Sequence, residues 1–496
     1  MNSDDRARSG GCGVCAEPAG LADRPYTYLK TVQGVCRECH QVVNCRILVE
    51  DGRVWQERLC PEHGPSRALI AEDHAWYLRA TRTPVEPRPP GKCATAHRNG
   101  CPLDCGPCPF HAAAPNLPVF SVTNACNLAC PICFTYNRRD RSWHMPLDEV
   151  DRVLDQVLEA AGDLDLINIT GGEPTLHPQI LELLRRATSR PRIGRVTLNS
   201  NGLRIAKDDA FVRELARLGV YVILSFDTFD PARSKRIHGA DIVQTKLEAL
   251  AKLNAHGVGA TLLNVMIRDT NDDEIGRVLE LAAQTRCVRS VTIQTMTYTG
   301  QGGKDFPRGL HMTIDGAQKA IERSTGGRLR FEDFHPMPAA HPLCYGIGYF
   351  FKTGEAPLGL VPFRRLFSEE EMRKLLGGNY LIRPGDDFNE MLDDAIHRLW
   401  AREPEAPELG LIRRLAKKLY PQGRAPSAFQ RQRLAEEHVL TVYIHAHMDE
   451  DNFDLSRVST CPDLVPDVSG TLIPACSYNV FYRMRDARFW VTDGEK

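Results

Sequence analysis

The amino-acid sequence predicts an α/β protein built around a parallel sheet. Between about residues 117 and 300, short apolar runs typical of buried strands alternate with amphipathic segments that have the period of a helix. Six strand–helix repeats fit into this stretch of ~175 residues, and such repeats pair as parallel strands joined by right-handed crossovers. The pattern alone leaves open whether the sheet is doubly wound or curls into a partial barrel.

Each element of the repeat follows from its own apolar pattern. The predicted strands are Val119–Val122, Leu166–Ile169, Arg195–Leu198, Val220–Ser225, Ala260–Met266 and Val291–Gln294. The predicted helices lie near residues 147–161, 178–188, 209–218, 241–256 and 272–285. Because parallel strands end at the same edge of a sheet, we expect the loops that follow them to meet there.

The rest of the chain divides where its composition changes, and 496 residues allow about three structural units. The Pro-rich stretch Thr83–Pro90 is typical of a stiff connector. The predicted units are a flexible tail (1–33), a metal ribbon (34–85), a cysteine-rich segment (86–114), the α/β unit (115–330) and a C-terminal domain (331–496), which combines a helical stretch near 386–440 with a strand-prone region from Leu440.

Charge and hydropathy disfavour two classes of protein. Lys and Arg total 62 against 63 for Asp and Glu, so no net basic charge attracts nucleic acid. The chain contains no apolar run of about 18 residues, the length of a transmembrane helix. Its first residues, MNSDDRARSG, are polar where a secretory signal is apolar. We therefore expect a cytoplasmic protein that has no transmembrane segment and binds no nucleic acid.

The 17 cysteines indicate metal binding. A reducing cytoplasm disfavours disulfides, and a chain of this length needs no cross-links to bury a core. Most of the cysteines fall in short-spaced groups, whereas ordinary core cysteines would be scattered. We therefore predict that the groups ligate metals.

The most specific group is Cys126-x3-Cys130-x2-Cys133, directly after the first predicted strand. Three thiolates on one loop can bind three irons of a 4Fe-4S cluster and leave the fourth iron open for chemistry. A zinc knuckle or a cluster that only transfers electrons would use the same residue type. The five strand–helix units that follow favour the catalytic interpretation.

A second motif, Gly171-Gly172-Glu173-Pro174, follows the second predicted strand. The two glycines permit close backbone approach and positive φ, so strand-end carbonyls can accept hydrogen bonds from a ligand ammonium group. Glu173 would add a negative charge to that contact. Its other possible role is to cap the helix that begins near Pro178.

Polar residues also stand at the ends of the later predicted strands, where a buried strand would prefer apolar ones. The candidates for ligand contact are Asn199, Ser225, Asp227 and Asn264. Turn formation or helix capping would explain Asp227 nearly as well.

The cysteine loop and the GGEP loop together resemble the radical S-adenosylmethionine (SAM) superfamily over about residues 117–300. The resemblance implies an α/β fold in the form of a partial (β/α)6 TIM-like barrel, with the site at the carboxyl ends of its strands. It implies that Cys126, Cys130 and Cys133 hold the catalytic cluster, and that the open iron chelates SAM while the GGEP loop grips its methionyl end. Reductive cleavage of SAM would then give a 5′-deoxyadenosyl radical that abstracts hydrogen from an unactivated carbon.

A further cysteine group precedes the barrel. Four thiols within 16 residues could saturate a second 4Fe-4S cluster, with zinc as the alternative. These residues are Cys93, Cys101, Cys105 and Cys108.

A third group, Cys344, Cys461 and Cys476, is spread along the C-terminal domain. Each cysteine alone is typical of an ordinary buried thiol, but flanking Pro, His and Asn residues suggest loops that could supply three ligands of a third cluster. No fourth ligand is evident. His445 and His447 alternate as on a strand, and we predict surface or core positions for them rather than metal ligation.

The N-terminal ribbon offers two ligand sets. Cys36, Cys39, Cys60 and His63 suit tetrahedral zinc, whereas Cys45 in place of His63 would suit a mononuclear iron site. Outside that second set, Cys45 is best interpreted as a core thiol, as is Cys287.

The order of ribbon, cysteine-rich segment, radical loop and C-terminal HMDEDNFDLSRVSTCPDL resembles the group that contains archaeal tetraether lipid synthase and its methyltransferase-like homologues, over about residues 34–480. This resemblance implies a C-terminal auxiliary-cluster domain, carbon–carbon bond formation or C-methylation on a lipid or small-molecule substrate, and an electron donor such as ferredoxin or flavodoxin. Maturation of a ribosomal peptide is the alternative within the same class. A zinc-binding scaffold with a degenerate barrel would need broken motifs, and these motifs are intact.

Overall fold

The computed structural model describes most of the chain. The described residues are 24–93, 95–135, 142–300, 302–303, 305–308, 311–355, 357–376, 381–382, 385–403, 407–422, 426–467 and 469–489, with the backbone alone at 386, 387, 407, 428 and 429. Cys12 and Cys15 lie outside these residues. In the described part of the chain, no helix has both the length and the apolar character needed to cross a membrane.

The N-terminal unit is a four-stranded antiparallel sheet. Its strands are β1 (Thr27–Val35), β2 (Val42–Glu50), β3 (Arg53–Cys60) and β4 (Gly64–Ala71). Asp51 and Gly52 both have positive φ (51° and 73°), as a two-residue hairpin turn requires. The predicted tail ended at residue 33, so residues 27–33 are corrected from tail to strand. β1 is a mostly exposed edge strand and therefore lacks the apolar alternation that identifies a strand.

Helix α1 (His74–Arg82) leads from this sheet to the rest of the protein. Its first turn is capped by the Asp73 side chain, which accepts a hydrogen bond from the Trp76 amide (2.9 Å). Trp76 and Tyr77 are buried in the main apolar core. The ribbon is thus packed onto the larger unit.

The larger unit contains a mixed, mostly parallel sheet of 12 strands. These are β5 (Leu117–Ser121), β6 (Ile167–Thr170), β7 (Val196–Ser200), β8 (Tyr221–Ser225), β9 (Ala260–Met266), β10 (Val288–Thr295), β11 (His335–Pro336), β12 (Tyr345–Lys352), β13 (Leu360–Pro362), β14 (Val439–His445), β15 (Asp463–Pro466) and β16 (Leu472–Pro474). Strands β5 to β10 pair in parallel in chain order, which confirms the predicted repeat.

The helices follow the predicted periodicity closely. They are α2 (Leu147–Ala161), α3 (Ile180–Thr188), α4 (Leu203–Lys207), α5 (Asp209–Leu218), α6 (Pro231–His238), α7 (Val243–Ala255), α8 (Ile275–Gln284), α9 (Ile314–Ser324), α10 (Glu369–Leu376), α11 (Asp386–Arg402), α12 (Pro407–Leu419), α13 (Ala428–Glu436), α14 (Leu455–Val458) and α15 (Ala475–Ser477). The helices predicted near 147–161, 178–188, 209–218, 241–256 and 272–285 correspond to α2, α3, α5, α7 and α8, and α11 to α13 lie in the predicted helical stretch. The remaining helices were not predicted; among them, α4 spans little more than one turn and α6 (PARSKRIH) has no apolar stripe.

The C-terminal strands extend the sheet at both ends. β14 pairs in parallel with β10, and β15 pairs in parallel with β5. No backbone ladder joins β14 to β15 within the described residues. Instead, Tyr345 and His445 reach across to the β15 residue Asp463: the tyrosine hydroxyl donates to Asp463 Oδ2 (2.5 Å), and His445 Nε2 lies 3.5 Å from the same oxygen. The sheet therefore curls until its ends meet through side chains.

Alternate residues of the curled strands face opposite sides. Leu198, Leu224 and Ile293 point outward into the core between the sheet and its helices. Their neighbours, such as Asn199 and Thr292, point inward and line a cavity of about 140 Å³, here called the interior cavity. The curl places the carboxyl ends of the parallel strands around one site.

Candidate active site

The cysteine loop after β5 and the GGEP loop after β6 lie side by side. The Gly172 amide donates to the Thr123 carbonyl (2.8 Å), and the Glu173 amide donates to the Ala125 carbonyl (2.7 Å). The structure therefore brings together, at one edge of the sheet, the two motifs that the sequence placed there.

The two glycines are required by this contact between loops. A Cβ atom at Gly171 would lie 2.2 Å from the Thr123 carbonyl oxygen, and one at Gly172 would lie 2.2 Å from the Ala125 carbonyl oxygen. Gly171 also has a φ of 141°, which favours glycine. The sequence predicted that these glycines let the backbone come close to a ligand. In the structure they let the GGEP loop come close to the cysteine loop.

Glu173 is nearly inaccessible, with 1% of its surface exposed. Its Oε1 accepts hydrogen bonds from the Thr175 hydroxyl (2.6 Å), the Thr175 amide (3.2 Å) and the Ser200 hydroxyl (3.0 Å), and its Oε2 accepts one from the Asn201 amide (2.7 Å). Burial raises the pKa of Glu173, while these hydrogen bonds oppose the shift. The carboxylate ties the loop after β6 to the loop after β7, and its contact with a ligand ammonium stays a prediction.

Glu173 also caps a helix, although not the one that the sequence indicated. It is the N-cap of a short 3-10 turn, Pro174–Leu176. The turn ends before α3, which begins at Ile180. Capping and ligand binding are therefore not exclusive roles for this residue.

The three loop cysteines are half-buried at the end of β5. The Cys133 amide donates to the Cys130 carbonyl (3.1 Å), which folds the loop back on itself. Burial, followed by the neighbouring Cys133 thiol, raises the pKa of Cys130 to about 12. Metal binding must therefore displace a proton from this thiol.

The three loop thiols do not form a compact single-ion site. Among the described residues, two groups bring three or more ligand atoms within 4.8 Å of one another, and the cysteine loop is not one of them. A single tetrahedral ion needs such crowding, whereas a 4Fe-4S cluster holds each thiolate on a separate iron. Cys126, Cys130 and Cys133 would hold three of those irons.

A buried charged network lies directly behind Cys130. His238 Nδ1 is 3.8 Å from Cys130 Sγ, and His238 Nε2 is 3.1 Å from Asp227 Oδ2. The Lys246 ammonium is 3.7 Å from the same carboxylate oxygen and donates to the Ser225 hydroxyl and carbonyl (2.8 Å each). Burial opposes ionisation of Asp227, but His238 and Lys246 outweigh it and lower its pKa.

This network changes the interpretation of two predicted ligand contacts. Ser225 contacts Lys246, and Asp227 contacts both Lys246 and His238. Contact with a bound ligand stays a prediction for Ser225 and for Asp227. Lys246 and His238 were missed in the sequence. Lys246 could have been found, because it shares the buried face of α7 with Ala249, Leu250 and Leu253.

The other two predicted polar contacts have different surroundings. Asn264 donates to the carbonyls of Phe226 (3.2 Å) and Asp227 (3.1 Å), so it fixes the end of β8. Asn199 lines the interior cavity and donates to the Thr170 hydroxyl (3.3 Å). The Oδ1 atoms of both asparagines are buried without a hydrogen-bond partner, which leaves an acceptor free at each position.

The interior cavity was not predicted. Hydroxyl and amide groups from several strands face it, and the Arg195–Glu436 ion pair lies in its wall. Its signal in the sequence is the alternation of polar residues within strands, as in Ser290-x-Thr292-x-Gln294. Such residues are expected where a strand faces a polar lumen rather than a core.

In the ribbon, the zinc ligand set is the one that the structure brings together. Cys36, Cys39, Cys60 and His63 have their ligand atoms within 4.8 Å of one another. A hydrogen bond with His63 lowers the pKa of Cys60 to about 6. Cys45 is fully buried, and its thiol lies 3.7 Å from the Val43 carbonyl, as expected for a core residue. The geometry therefore does not support Cys45 in place of His63.

The second cysteine group is partly assembled. Cys101 and Cys105 interact directly, and this contact lowers the pKa of Cys101 to about 7 and raises that of Cys105. Cys108 is buried, whereas Cys93 is exposed. A cluster bound by all four thiols stays a prediction.

The third group converges although its members are distant in sequence. Cys344, Cys461 and Cys476 line one cavity, here called the C-terminal cavity, at the place where the ends of the curled sheet meet. His445 and His447 line it too, so they are neither surface nor purely core residues. Burial, followed by the charge of Cys344, raises the pKa of Cys476 to about 12.

Comparison with known families agrees with this geometry. Residues 120–282 match the family model of the radical SAM superfamily, and residues 28–72 match that of the HMPTM N-terminal zinc ribbon domain. The chain therefore contains a radical SAM domain preceded by a zinc ribbon, and the radical SAM superfamily implies a 4Fe-4S cluster and SAM as cofactors.

The similarity extends along nearly the whole chain for one relative. The 7,8-dihydro-6-hydroxymethylpterin dimethyltransferase of Methanocaldococcus jannaschii is 24% identical over 485 residues, covering 92% of this chain and 94% of the relative. The GTP 3′,8-cyclase of Chlorobaculum tepidum is 34% identical over 166 residues, which are 33% of this chain and 49% of the cyclase. The chain is thus similar to a pterin dimethyltransferase over nearly its whole length and to a GTP cyclase over about a third of it.

Solved structures add little. Streptococcus suis SuiB bound to S-adenosylmethionine aligns over 42% of this chain and 47% of its own, with 21% identity and a TM-score of 0.36. A similarity of this size carries no argument about function.

Proposed function

We propose that this enzyme adds a methyl group to a carbon atom of a small polar heterocycle of the pterin type. The observation that carries the proposal is the set of amide and hydroxyl groups that line part of the interior cavity. The nearly full-length similarity to a pterin dimethyltransferase supports the same substrate class.

The interior cavity is well placed to present a substrate to the cysteine loop. Asn199 bonds to Thr170, and Thr170 directly precedes the GGEP loop. The wall of the cavity at Asn199 therefore adjoins the GGEP loop, which packs against Ala125, the residue before Cys126. Once loaded with SAM, the cluster supplies reductive cleavage of the carbon–sulfur bond, and the chain's own residues position the substrate and exclude water.

The lining favours a small polar molecule over a lipid. Asn168, Asn199, Thr292 and Thr441 place amides and hydroxyls around the cavity, and Asn199 Oδ1 has no partner within the protein. An acyl chain would leave such groups desolvated and unpaired, at a cost of about 1 to 3 kcal/mol each. A heterocycle with ring N–H and C=O groups can satisfy them.

Three finer parts of the proposal concern other components. Cys126, Cys130 and Cys133 bind the catalytic cluster, the two auxiliary cysteine groups bind further 4Fe-4S clusters, and a ferredoxin or flavodoxin supplies electrons. Peptide maturation is less well supported, because the N-terminal unit is a zinc ribbon rather than a peptide-binding winged helix.

The substrate class can be tested by product analysis under anaerobic conditions. The reconstituted enzyme is incubated with dithionite, SAM carrying a labelled methyl group and 7,8-dihydro-6-hydroxymethylpterin. We expect a methylated pterin by mass spectrometry. Release of 5′-deoxyadenosine without a methylated pterin would contradict the proposed substrate.

A further inference from the structure

The C-terminal cavity contains three thiols but a fourth protein ligand was not identified in the sequence. Cys344 precedes β12, Cys461 precedes β15, and Cys476 lies in α15. All three line the same cavity, although they come from three separate segments.

Two of the three sulfur atoms accept hydrogen bonds from N–H donors, as expected for thiolates that ligate a cluster. The Arg457 guanidinium donates two hydrogen bonds to Cys344 Sγ (3.3 Å each), and the Met448 amide donates one to Cys476 Sγ (3.2 Å). Among the described residues, these thiols are not part of a group whose ligand atoms lie within 4.8 Å of one another. A single zinc ion needs such crowding, whereas a cluster holds each thiolate on a separate iron.

His447 is the imidazole that faces these thiols directly. Its Nδ1 lies 3.7 Å from Cys476 Sγ. The other imidazole in the cavity, His445, is already engaged: its ring stacks on Tyr345 with centroids 3.9 Å apart, and its Nε2 points to Asp463. The two histidines are thus distinguished by their contacts.

From this juxtaposition we propose that His447 is the fourth protein ligand of a 4Fe-4S cluster held by Cys344, Cys461 and Cys476. The inference rests on the proposed third cluster and adds its missing ligand. Cluster binding would replace the contact between His447 and Cys476 by a bond from each group to its own iron. No coordination position would remain open, so this cluster would transfer electrons rather than bind substrate.

The position of His447 also indicates where those electrons go. Its ring stacks against Phe134, with centroids 5.8 Å apart and planes inclined by 29°. Phe134 directly follows Cys133 in the cysteine loop. The proposed ligand of the auxiliary cluster is therefore in ring contact with the loop that holds the catalytic cluster.

The test uses protein whose catalytic cysteines are replaced by alanine, so that spectra report the auxiliary clusters alone. With ¹⁵N-labelled histidine, pulsed electron paramagnetic resonance of the reduced protein should show nitrogen coupled to a cluster. His447→Cys keeps four ligands; it should abolish the coupling, retain the iron and lower the reduction potential, because thiolate stabilises the oxidised cluster more than imidazole does. His445→Gln serves as the matched control and should retain the coupling.

The possible outcomes distinguish a failure of His447 as a ligand from a failure of the third cluster or of the proposed pterin methylation. A cluster that shows no nitrogen coupling, or whose coupling survives His447→Cys, would overturn His447 as a ligand while leaving the third cluster in place. Unchanged iron content after replacing Cys344, Cys461 and Cys476 by alanine would overturn the third cluster itself. Neither outcome bears on the methylation of a pterin, which is measured by its product.

Discussion

The buried ammonium group of Lys246 places a positive charge among Asp227, His238 and the backbone of β8, behind the cysteine loop. Only 2% of its side chain is exposed. A charge in that position is expensive to bury alone, and Asp227 compensates it. The network therefore supports Cys130 only while both charges are present.

Lys246→Met should consequently destabilise the protein by about 3 to 5 kcal/mol, because it leaves the Asp227 carboxylate buried without its cation. Chemical denaturation of the variant beside the parent measures this difference. Lys252→Met, on the same helix but partly exposed, is the control and should change stability by less than about 0.5 kcal/mol. A loss below about 1 kcal/mol for Lys246→Met would show that Asp227 is satisfied without the lysine.

Gly172 lets the GGEP loop pack against the cysteine loop because it has no side chain. Gly172→Ala would place a methyl group against the Ala125 carbonyl and push the GGEP loop away from the cysteine loop. We expect a loss of about 1 to 3 kcal/mol in stability and a lower iron content of the catalytic site by metal analysis. Gly385→Ala is the control, since its Cβ would have no neighbour within 4 Å. Full iron incorporation in Gly172→Ala would contradict the described packing of the loops.

At the level of elements, the ribbon is attached to the barrel through α9. Asp315 in the first turn of α9 accepts hydrogen bonds from the backbone amides of Glu72 (2.7 Å) and Asp73 (2.8 Å), which link β4 to α1. Burial raises the pKa of Asp315 to about 6. The junction thus contains a carboxyl group that is easier to protonate in the folded protein than in the unfolded chain.

This raised pKa predicts a pH dependence of stability. Because the folded state binds the Asp315 proton more tightly, its contribution is fully present below the unfolded pKa of about 4 and is lost as the pH rises to about 6. The loss should amount to roughly 1 to 3 kcal/mol. Denaturation of the parent and of Asp315→Asn across this range should give a stability difference that shifts in the variant's favour as the pH rises. A pH-independent difference would contradict the raised pKa.

The elements that could be predicted are those with a strong apolar period. Strands β5 to β10 and helices such as α2 and α7 match their predicted positions within a few residues, because a single buried face determines each pattern. β1 could not be predicted, since its strand partner rather than its own burial holds it in place. The part that His238 plays in the network at Cys130 was equally hidden, because His238 lies on α6, whose sequence has no apolar stripe.

In the whole molecule, the curl of the sheet brings together residues whose proximity no local sequence pattern predicts. It brings Asp463 to Tyr345, 118 residues earlier in the chain, and to His445, and it forms the wall of the interior cavity. Cys344, Cys461 and Cys476 meet at the same junction. The sequence could place each of these residues on an element, but their meeting depends on how far the sheet bends.

If the interior cavity binds the substrate, a change in its wall should weaken substrate binding. Thr292→Val keeps the side-chain shape and removes one hydroxyl from the cavity wall. We expect the KM for the pterin to rise about tenfold, the effect of a lost hydrogen bond of roughly 1.4 kcal/mol, while SAM cleavage without substrate is unchanged. Thr188→Val, outside the cavity at the end of α3, should leave the KM unaltered. An unchanged KM in Thr292→Val would remove this wall from the substrate site.

The central claim, that catalysis depends on a cluster held by Cys126, Cys130 and Cys133, is tested most directly by measuring 5′-deoxyadenosine formed from SAM under dithionite. The parent protein should form it, and the variant with all three cysteines replaced by alanine should form none while keeping the iron of its auxiliary sites. Persistent formation of 5′-deoxyadenosine in that variant would contradict the account, because SAM would then be cleaved at another cluster.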